Sequence, residues 1–246
     1  MAQSGWSNQF TAGCIGPLHV QGLAAPVWLI PNPPSVAEGA KARLGAFNDA
    51  STATAVQLTH GSRFYFARSD ACLARPQHYS AWPLVGATLS FTVDISQAGC
   101  GCNVAAYLVS MAQSTQPGIC GGDYYCDANA VCDVRCDEID LLEANTNAIH
   151  ATAHHADDGD GNGAGLGGMG VQEVMSSADY GRGGGKIDTS HPFRVSVSFY
   201  GGPQGQLTRI GVKLTQGILR EITFQMADDG YARQPCFLVI SLSLHV

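Results

Sequence analysis

Residues 193–200 read FRVSVSFY, and apolar side chains alternate with polar ones along this stretch. A period of two predicts a strand with one face buried and the other exposed. Similar patterns occur at residues 86–96, 207–214, 219–226 and 237–245, and three more strands are predicted at residues 51–60, which are rich in Thr and Val, 103–111 and 136–143. We find no convincing amphipathic helix. The chain is therefore predicted to be an all-β protein, either a sandwich or a barrel.

The length and the distribution of proline and glycine favour one domain. A chain of 246 residues can bury a large core, and all-β domains often reach this size, so we expect a single domain over residues 1–246. The first fifty residues contain five prolines and are expected to form coil with short edge strands. Residues 159–170 contain seven glycines and predict a loop without regular structure.

The charge balance excludes some classes of partner. The formal net charge is −7 and only 13% of residues are charged, so no basic patch is present to bind the phosphates of a nucleic acid. The apolar run at residues 18–30 is short and contains Pro26, and no membrane-spanning segment is predicted. The chain does not open on a secretory leader, which we expect to have been removed if the protein is secreted. A monomer that binds a neutral polymer or a small neutral ligand is expected.

The cysteine content indicates disulfide bonds. The nine cysteines are Cys14, Cys72, Cys100, Cys102, Cys120, Cys126, Cys132, Cys136 and Cys236. A zinc site is one alternative for the four between Cys120 and Cys136, but their spacings do not match the paired Cys-x-x-Cys of structural zinc sites. Disulfides formed in an oxidising compartment are favoured, and the odd count leaves at least one thiol free or paired between chains.

The most informative stretch for chemistry is residues 136–145, CDEIDLLEAN. Five acidic residues lie between Asp133 and Glu143. In a regular strand Glu138 and Asp140 share a face, but Glu143 is out of phase. A β-bulge between Asp140 and Glu143 would place all three carboxylates on one face, with the two intervening leucines as the residues over which the strand slips.

Such a group of carboxylates is suited to acid–base chemistry. Strand rise places the backbones of Glu138 and Glu143 roughly 13 Å apart, and inward-leaning side chains bring the carboxyl groups towards the ~5–5.5 Å of retaining glycosidases. Because three adjacent carboxylates do not ionise independently, we expect one to keep its proton, which supplies one nucleophile and one acid. A solvated acidic face and a calcium site are the alternatives.

The surrounding residues resemble a known family. The Glu-x-Asp-x-x-Glu motif of residues 138–143 matches glycoside hydrolase families 7 and 16. Three other features resemble family 7, the cellobiohydrolases and endoglucanases: residues 84–111 (LVGATLSFTVDISQAGCGCNVAAYLVSM), residues 123–129 (DYYCDAN), and a histidine, His154, eleven residues after Glu143. Weaker likeness at residues 187–200 and 237–242 extends the resemblance over residues 84–242.

The resemblance implies a fold and a set of roles. The fold would be a β-sandwich jelly roll of two antiparallel sheets, with a substrate cleft on the concave face. Glu138 would be the nucleophile, Asp140 its hydrogen-bonded neighbour and Glu143 the general acid/base. The residues implied to contact sugars or the catalytic carboxylates are Asn103, Tyr107, Tyr125, Asp127 and His154. A disulfide between Cys126 and Cys136 is implied as well.

Several departures from the family affect the expected function. Only nine residues separate Cys126 from Cys136, too few for a long loop over the substrate, and the chain is far shorter than family members. Trp6, Trp28 and Trp82 match none of the family's sugar-binding tryptophans. We therefore expect a secreted, endo-acting retaining hydrolase of β-1,4 or mixed-linkage glucan with an open cleft and no cofactor. The alternatives are a non-catalytic, lectin-like sandwich and a hydrolase of β-1,3-glucan or another polysaccharide.

A second polar cluster follows the acidic strand. It contains His150, His154, His155, Asp157 and Asp158, and a metal site there is an alternative to a sugar contact by His154. Residues 158–163 copy the opening of a calcium-binding loop, but Met169 replaces the glutamate that an EF-hand needs at its twelfth position. A weaker calcium site remains an alternative, and the prediction assigns no metal ligand.

Overall fold

The computed structural model describes residues 6–7, 15–31, 42–45, 55–68, 74–158, 163–166, 175–227 and 241–245. Within these ranges the chain forms strands and two short 3-10 helices, Pro76–His78 and Met111–Gln113. The strands are β1 Trp6–Ser7, β2 Ile15–Leu18, β3 Val27–Pro31, β4 Ala42–Gly45, β5 Ala55–Leu58, β6 Arg63–Ala67, β7 Thr88–Val93, β8 Val104–Val109, β9 Glu138–Ala144, β10 Ile149–His154, β11 Ala164–Leu166, β12 Tyr180–Gly181, β13 Ile187–Asp188, β14 Phe193–Gly201, β15 Leu207–Gln216, β16 Arg220–Ala227 and β17 Ser241–His245. No helix in the described ranges is long and apolar enough to cross a membrane.

Two large antiparallel sheets dominate the structure. The first has eight strands in the order β11-β10-β9-β8-β17-β6-β3-β2, and the second has four in the order β16-β15-β14-β7. Strand β17, from the end of the chain, pairs with both β8 and β6 and so joins the two halves of the larger sheet. Two smaller sheets, β1-β4-β5 and β12-β13, complete the architecture.

The main core lies between the two large sheets. Along β14 the side chains of Phe193, Val195, Val197 and Phe199 are buried, and they alternate with more exposed residues. They belong to the same apolar cluster as Ile139 and other residues of the eight-stranded sheet. This arrangement confirms the predicted β-sandwich of antiparallel sheets.

A second apolar cluster covers the opposite face of the eight-stranded sheet, which we call the site face. It combines alternate residues of β8, such as Tyr107, with residues of the segment 120–136. Two disulfides, Cys120–Cys132 and Cys126–Cys136, cross-link that segment. The implied Cys126–Cys136 bond is thereby confirmed, and the zinc alternative for these four cysteines is wrong. Of the other described cysteines, Cys100 and Cys102 have free thiols; the remaining three lie outside the described residues.

Part of the predicted glycine-rich loop is a strand. Residues 164–166 of the glycine-rich stretch form β11, which pairs antiparallel with β10, so the prediction of a loop throughout residues 159–170 is wrong there. Strand pairing uses backbone groups, and a glycine at the sheet edge keeps its N–H and C=O. The rest of that stretch, apart from Gly163, lies outside the described residues, as do residues 51–54 and 237–240 of two predicted strands.

Other differences concern strands that the pattern did not reveal. Strands β6 and β10 were not predicted, although both lie inside the eight-stranded sheet. Strand β3 pairs with β2 on one side and β6 on the other, so the expectation of only edge strands in the first fifty residues is wrong. The remaining predicted strands are confirmed by β5, β7, β8, β9, β14, β15, β16 and β17 over their described residues.

Candidate active site

The predicted bulge is present in β9. Asp140 lies opposite Tyr107 of β8, whereas Leu142 lies opposite Ala106, so Leu141 is an extra residue in the ladder. The same shift appears towards β10, where Glu143 lies opposite His150 and Asp140 opposite Thr152. Leu141 and Leu142 are both fully buried in the main core.

The bulge places the three carboxylates on the site face with different exposures. Glu138 and Asp140 are buried, with 9% and 6% of their surface exposed. Glu143 is half-buried and lies opposite Ala105, which belongs to the site-face cluster. The strand thus presents two desolvated carboxyl groups and one that solvent reaches.

Asp140 is held by the predicted histidine. His154 Nε2 lies 3.2 Å from Asp140 Oδ2, and His154 faces Glu138 across the β9–β10 ladder. A Cβ atom added to Gly163 would lie 2.5 Å from His154 Nδ1. The absence of a side chain at Gly163 therefore allows the chain to pack against the imidazole ring.

Glu138 is held by a backbone group. The Ala128 N–H donates a hydrogen bond to Glu138 Oε2 at 3.1 Å. The segment that carries Ala128 is closed by the Cys126–Cys136 disulfide and by a bond from Cys136 N–H to the Asp127 carbonyl. The covalent link to the residues immediately before β9 fixes this donor beside the carboxylate.

Asn103 and Asp127 have different positions relative to the carboxylates. Asn103 Nδ2 donates to Glu143 Oε1 at 3.0 Å, so it contacts the predicted acid/base directly. Asp127 is buried and its Oδ1 accepts a bond from the Val131 N–H at 3.0 Å. The Asp127 carboxylate therefore has a bond inside its own loop, in addition to its position near Glu138.

The two predicted tyrosines belong to a larger aromatic group that includes residues missed by the prediction. Tyr107 and Tyr125 are buried, and burial raises the pKa of both hydroxyls, which keeps them neutral. The Tyr125 ring stacks on Tyr65, with centroids 6.1 Å apart, and the Arg63 guanidinium lies 4.3 Å from the Tyr125 centroid. Arg63 and Tyr65 are two residues apart on β6, and recognising that strand would have placed them on one face.

The environment raises the pKa of both buried carboxyl groups. Burial, followed by the charge of Asp140, raises the pKa of Glu138 to about 8, although the Ala128 N–H bond opposes the shift. Burial also raises the pKa of Asp140 to about 6, against the stabilising bond from His154. The expectation that one carboxylate keeps a proton is supported, and the proton belongs to the Glu138–Asp140 pair.

The metal alternatives gain no structural support. Among the residues that the structure describes, no group of three or more His, Cys, Asp or Glu side chains is placed to hold an ion. Asp160 and Asn162 of the calcium-like sequence lie outside these residues. The Asp158 carboxylate accepts a bond from the His155 N–H at 2.8 Å, so it caps the turn that follows β10.

The raised pKa values predict that stability falls as pH rises. Glu138 ionises near pH 4.5 when unfolded but near 8 when folded, so the folded state binds more protons between these values and the free energy of unfolding decreases with pH. Between about pH 5 and about pH 8 the melting temperature should fall less for Glu138→Gln, which cannot ionise at this position, than for the wild type. Glu221→Gln, at an exposed position in β16, should show the same fall in melting temperature as the wild type. An equal fall in Glu138→Gln would contradict the raised pKa of Glu138.

Comparisons with known proteins agree with this architecture. The sequence model described as glycosyl hydrolase family 7 matches residues 38–135, a segment that ends three residues before Glu138. Endoglucanase EG-1 of Hypocrea jecorina is 31% identical over 182 residues, which cover 63% of this chain and 37% of that protein. Endoglucanase type C of Fusarium oxysporum is 29% identical over 168 residues, 54% of this chain and 39% of that protein. The chain thus spans little more than a third of the length of these curated relatives.

Solved structures show the same fold. The native endocellulase EGI of Humicola insolens superposes with a TM-score of 0.53 at 20% identity, covering 89% of this chain and 64% of that one. The cellobiohydrolase of Melanocarpus albomyces in complex with cellotetraose superposes with a TM-score of 0.50 at 19% identity, covering 85% of this chain and 66% of that one. The chain is therefore similar in sequence to glycosyl hydrolase family 7 over part of its length, and it shares the fold of these solved structures.

Proposed function

We propose that the chain is a secreted, retaining glycoside hydrolase that cleaves β-1,4 or mixed-linkage glucan at internal bonds. The observation that carries this proposal is the bulge at Leu141, which places Glu138, Asp140 and Glu143 on one face of the sheet. A sugar-binding sandwich does not need two carboxylic acids of different exposure on one strand. A double-displacement hydrolase needs both.

The exposures support separate roles for the two glutamates. Glu143, which solvent reaches, protonates the glycosidic oxygen as the bond breaks, and Glu138 attacks the anomeric carbon to form a glycosyl-enzyme. Glu143 then takes a proton from the water that releases the sugar from Glu138. The Asn103 amide occupies one oxygen of Glu143 and orients the other, and the Ala128 N–H stabilises the Glu138 anion when the glycosyl-enzyme hydrolyses.

Asp140 and His154 support the nucleophile in this proposal. Glu138 must be ionised to attack, yet its raised pKa favours the protonated form. The contact with the His154 imidazole stabilises the Asp140 carboxylate, so the shared proton lies on Glu138 and must leave it before the attack. Glu138 then attacks as a desolvated anion in an apolar surrounding, where electrostatic interactions are stronger than in water.

The substrate class rests on the relatives and on the openness of the site. EG-1 and type C are named endoglucanases, and two structures of the same fold are an endoglucanase I complexed with cellobiose and a cellobiohydrolase complexed with cellotetraose. Only nine residues lie between Cys126 and Cys136, and the disulfide closes this loop on itself, which favours an open cleft over a covered tunnel. The two disulfides support export to an oxidising compartment.

Removal of the nucleophile should abolish hydrolysis. We expect Glu138→Gln to lower kcat by at least about 1000-fold, because no covalent intermediate can form, while the fold is kept. Reducing-sugar release from soluble β-1,4-, β-1,3- and mixed-linkage glucans, together with the fall in viscosity, measures the activity and separates internal from terminal cleavage. Glu221→Gln is the matched control, because it makes the same chemical change at an exposed position. Near wild-type activity of Glu138→Gln, or binding without cleavage by the wild type, would contradict the proposal.

The pH dependence of kcat/KM should follow the Glu138–Asp140 pair. Because both pKa values are raised, we expect kcat/KM to increase with pH through the range of about 6 to about 8 as the nucleophile ionises. Asp140→Asn removes the neighbouring charge that raises the pKa of Glu138. The rise of kcat/KM with pH, the acidic limb of the profile, should therefore move to lower pH even though the maximal rate falls. An acidic limb that stays in place or moves to higher pH in Asp140→Asn would contradict this assignment.

A further inference from the structure

A second carboxylate–imidazole pair lies behind the proposed catalytic residues. The last rung of the β9–β10 ladder joins Glu138 and His154, and continuation of that register places Asp137 opposite His155. His155 Nδ1 lies 3.4 Å from Asp137 Oδ1, and both residues are buried, with 4% and 7% of their surface exposed. Because side chains alternate along a strand, this pair points away from the site face.

The Asp137 carboxylate also holds the backbone that follows β10. Its Oδ1 accepts a bond from the Ala156 N–H at 3.0 Å, in addition to the contact with the His155 ring. The His155 N–H donates to the Asp158 carboxylate at 2.8 Å. Residues 155–158 are thus tied to the start of β9 and to each other immediately after His154.

The Asp137–His155 pair links the two strands at the end of the β9–β10 ladder. Strand ends open more readily than strand centres, since they have a neighbouring rung on one side only. Here the terminal rung carries both Glu138 and the imidazole that binds Asp140. A side-chain link one residue beyond that rung restrains both strands where the proposed reaction needs fixed geometry.

We propose that Asp137 is a positioning residue that holds the Glu138–His154 rung in its reactive geometry without contacting the substrate. The inference rests on the proposed function for its effect on catalysis. Its structural part, the effect of Asp137 on His154, does not depend on any activity. The residue acts through two bonds, one to the His155 ring and one to the Ala156 N–H.

A matched control exists elsewhere in the chain. Asp188, at the end of β13, has its Oδ2 3.3 Å from His191 Nδ1, and its Oδ1 accepts bonds from the Gly183 and Ser190 N–H groups. This carboxylate therefore also binds one imidazole and the backbone, but it belongs to the separate two-stranded sheet. Substitutions at Asp188 remove the same kinds of contact at a more exposed position, in a different sheet from Glu138.

The experiment compares Asp137→Ala and Asp137→Asn with Asp188→Ala and Asp188→Asn. We expect Asp137→Ala to lower kcat roughly 10- to 100-fold with KM changed less than about 3-fold, because misplacement of a reacting group affects the chemical step. Asp137→Asn keeps one oxygen that can accept from Ala156 and should recover part of kcat. The Asp188 variants should keep kcat within about 2-fold of the wild type, even if their melting temperature falls as far as that of the Asp137 variants.

The inference is overturned if kcat of the folded Asp137 variants matches that of the wild type. It is also overturned if the loss of kcat follows the fall in melting temperature in the same way for the Asp137 and the Asp188 variants. Should the wild type show no activity, the proposed function fails, and the imidazole signals of His154 in an NMR spectrum still test the structural part. Those signals, assigned with His154→Asn, should shift in Asp137→Asn and stay unchanged in Asp188→Asn. Unchanged His154 signals in both variants would overturn the positioning role.

Discussion

The burial of two consecutive leucines, Leu141 and Leu142, determines the phase of the strand that carries the carboxylates. A regular strand would send one of them to each face, whereas here both lie in the core between the sheets and the strand bulges to allow it. Full burial of each leucine stabilises the fold by roughly 1.5–3 kcal/mol. The apolar core therefore holds Glu143 on the same face as Glu138 and Asp140.

Those carboxylates are held in an environment that disfavours their charge. Burial raises the pKa of Glu138 and Asp140, and a single backbone N–H and one imidazole only partly offset the shifts. Buried charged groups without enough partners are costly, so the arrangement reduces stability at alkaline pH. The same cost is what makes Glu138 a reactive anion in the proposed mechanism, since fixed dipoles replace its water shell.

The sequence was sufficient to predict the features that side-chain patterns determine. Alternation predicted β7, β14, β15, β16 and β17, and the spacing of Glu138, Asp140 and Glu143 predicted the bulge before any register was known. Contacts made by backbone groups were not predictable, because the N–H of Ala128 and the missing side chain of Gly163 have no signature of their own. Asp137 and His155 were visible only as members of acidic and histidine-rich stretches, since pairing them requires the β9–β10 register.

The account depends most on Glu138 as the nucleophile, and covalent trapping tests it directly. A cellobioside with fluorine at C2 and a good leaving group slows release of the glycosyl-enzyme, so the intermediate accumulates. Mass spectrometry of the digested protein then identifies the esterified residue. The account predicts a single added disaccharide on Glu138. A label on Glu143 or Asp140, or turnover of the natural substrate with inversion at the anomeric carbon, would contradict it.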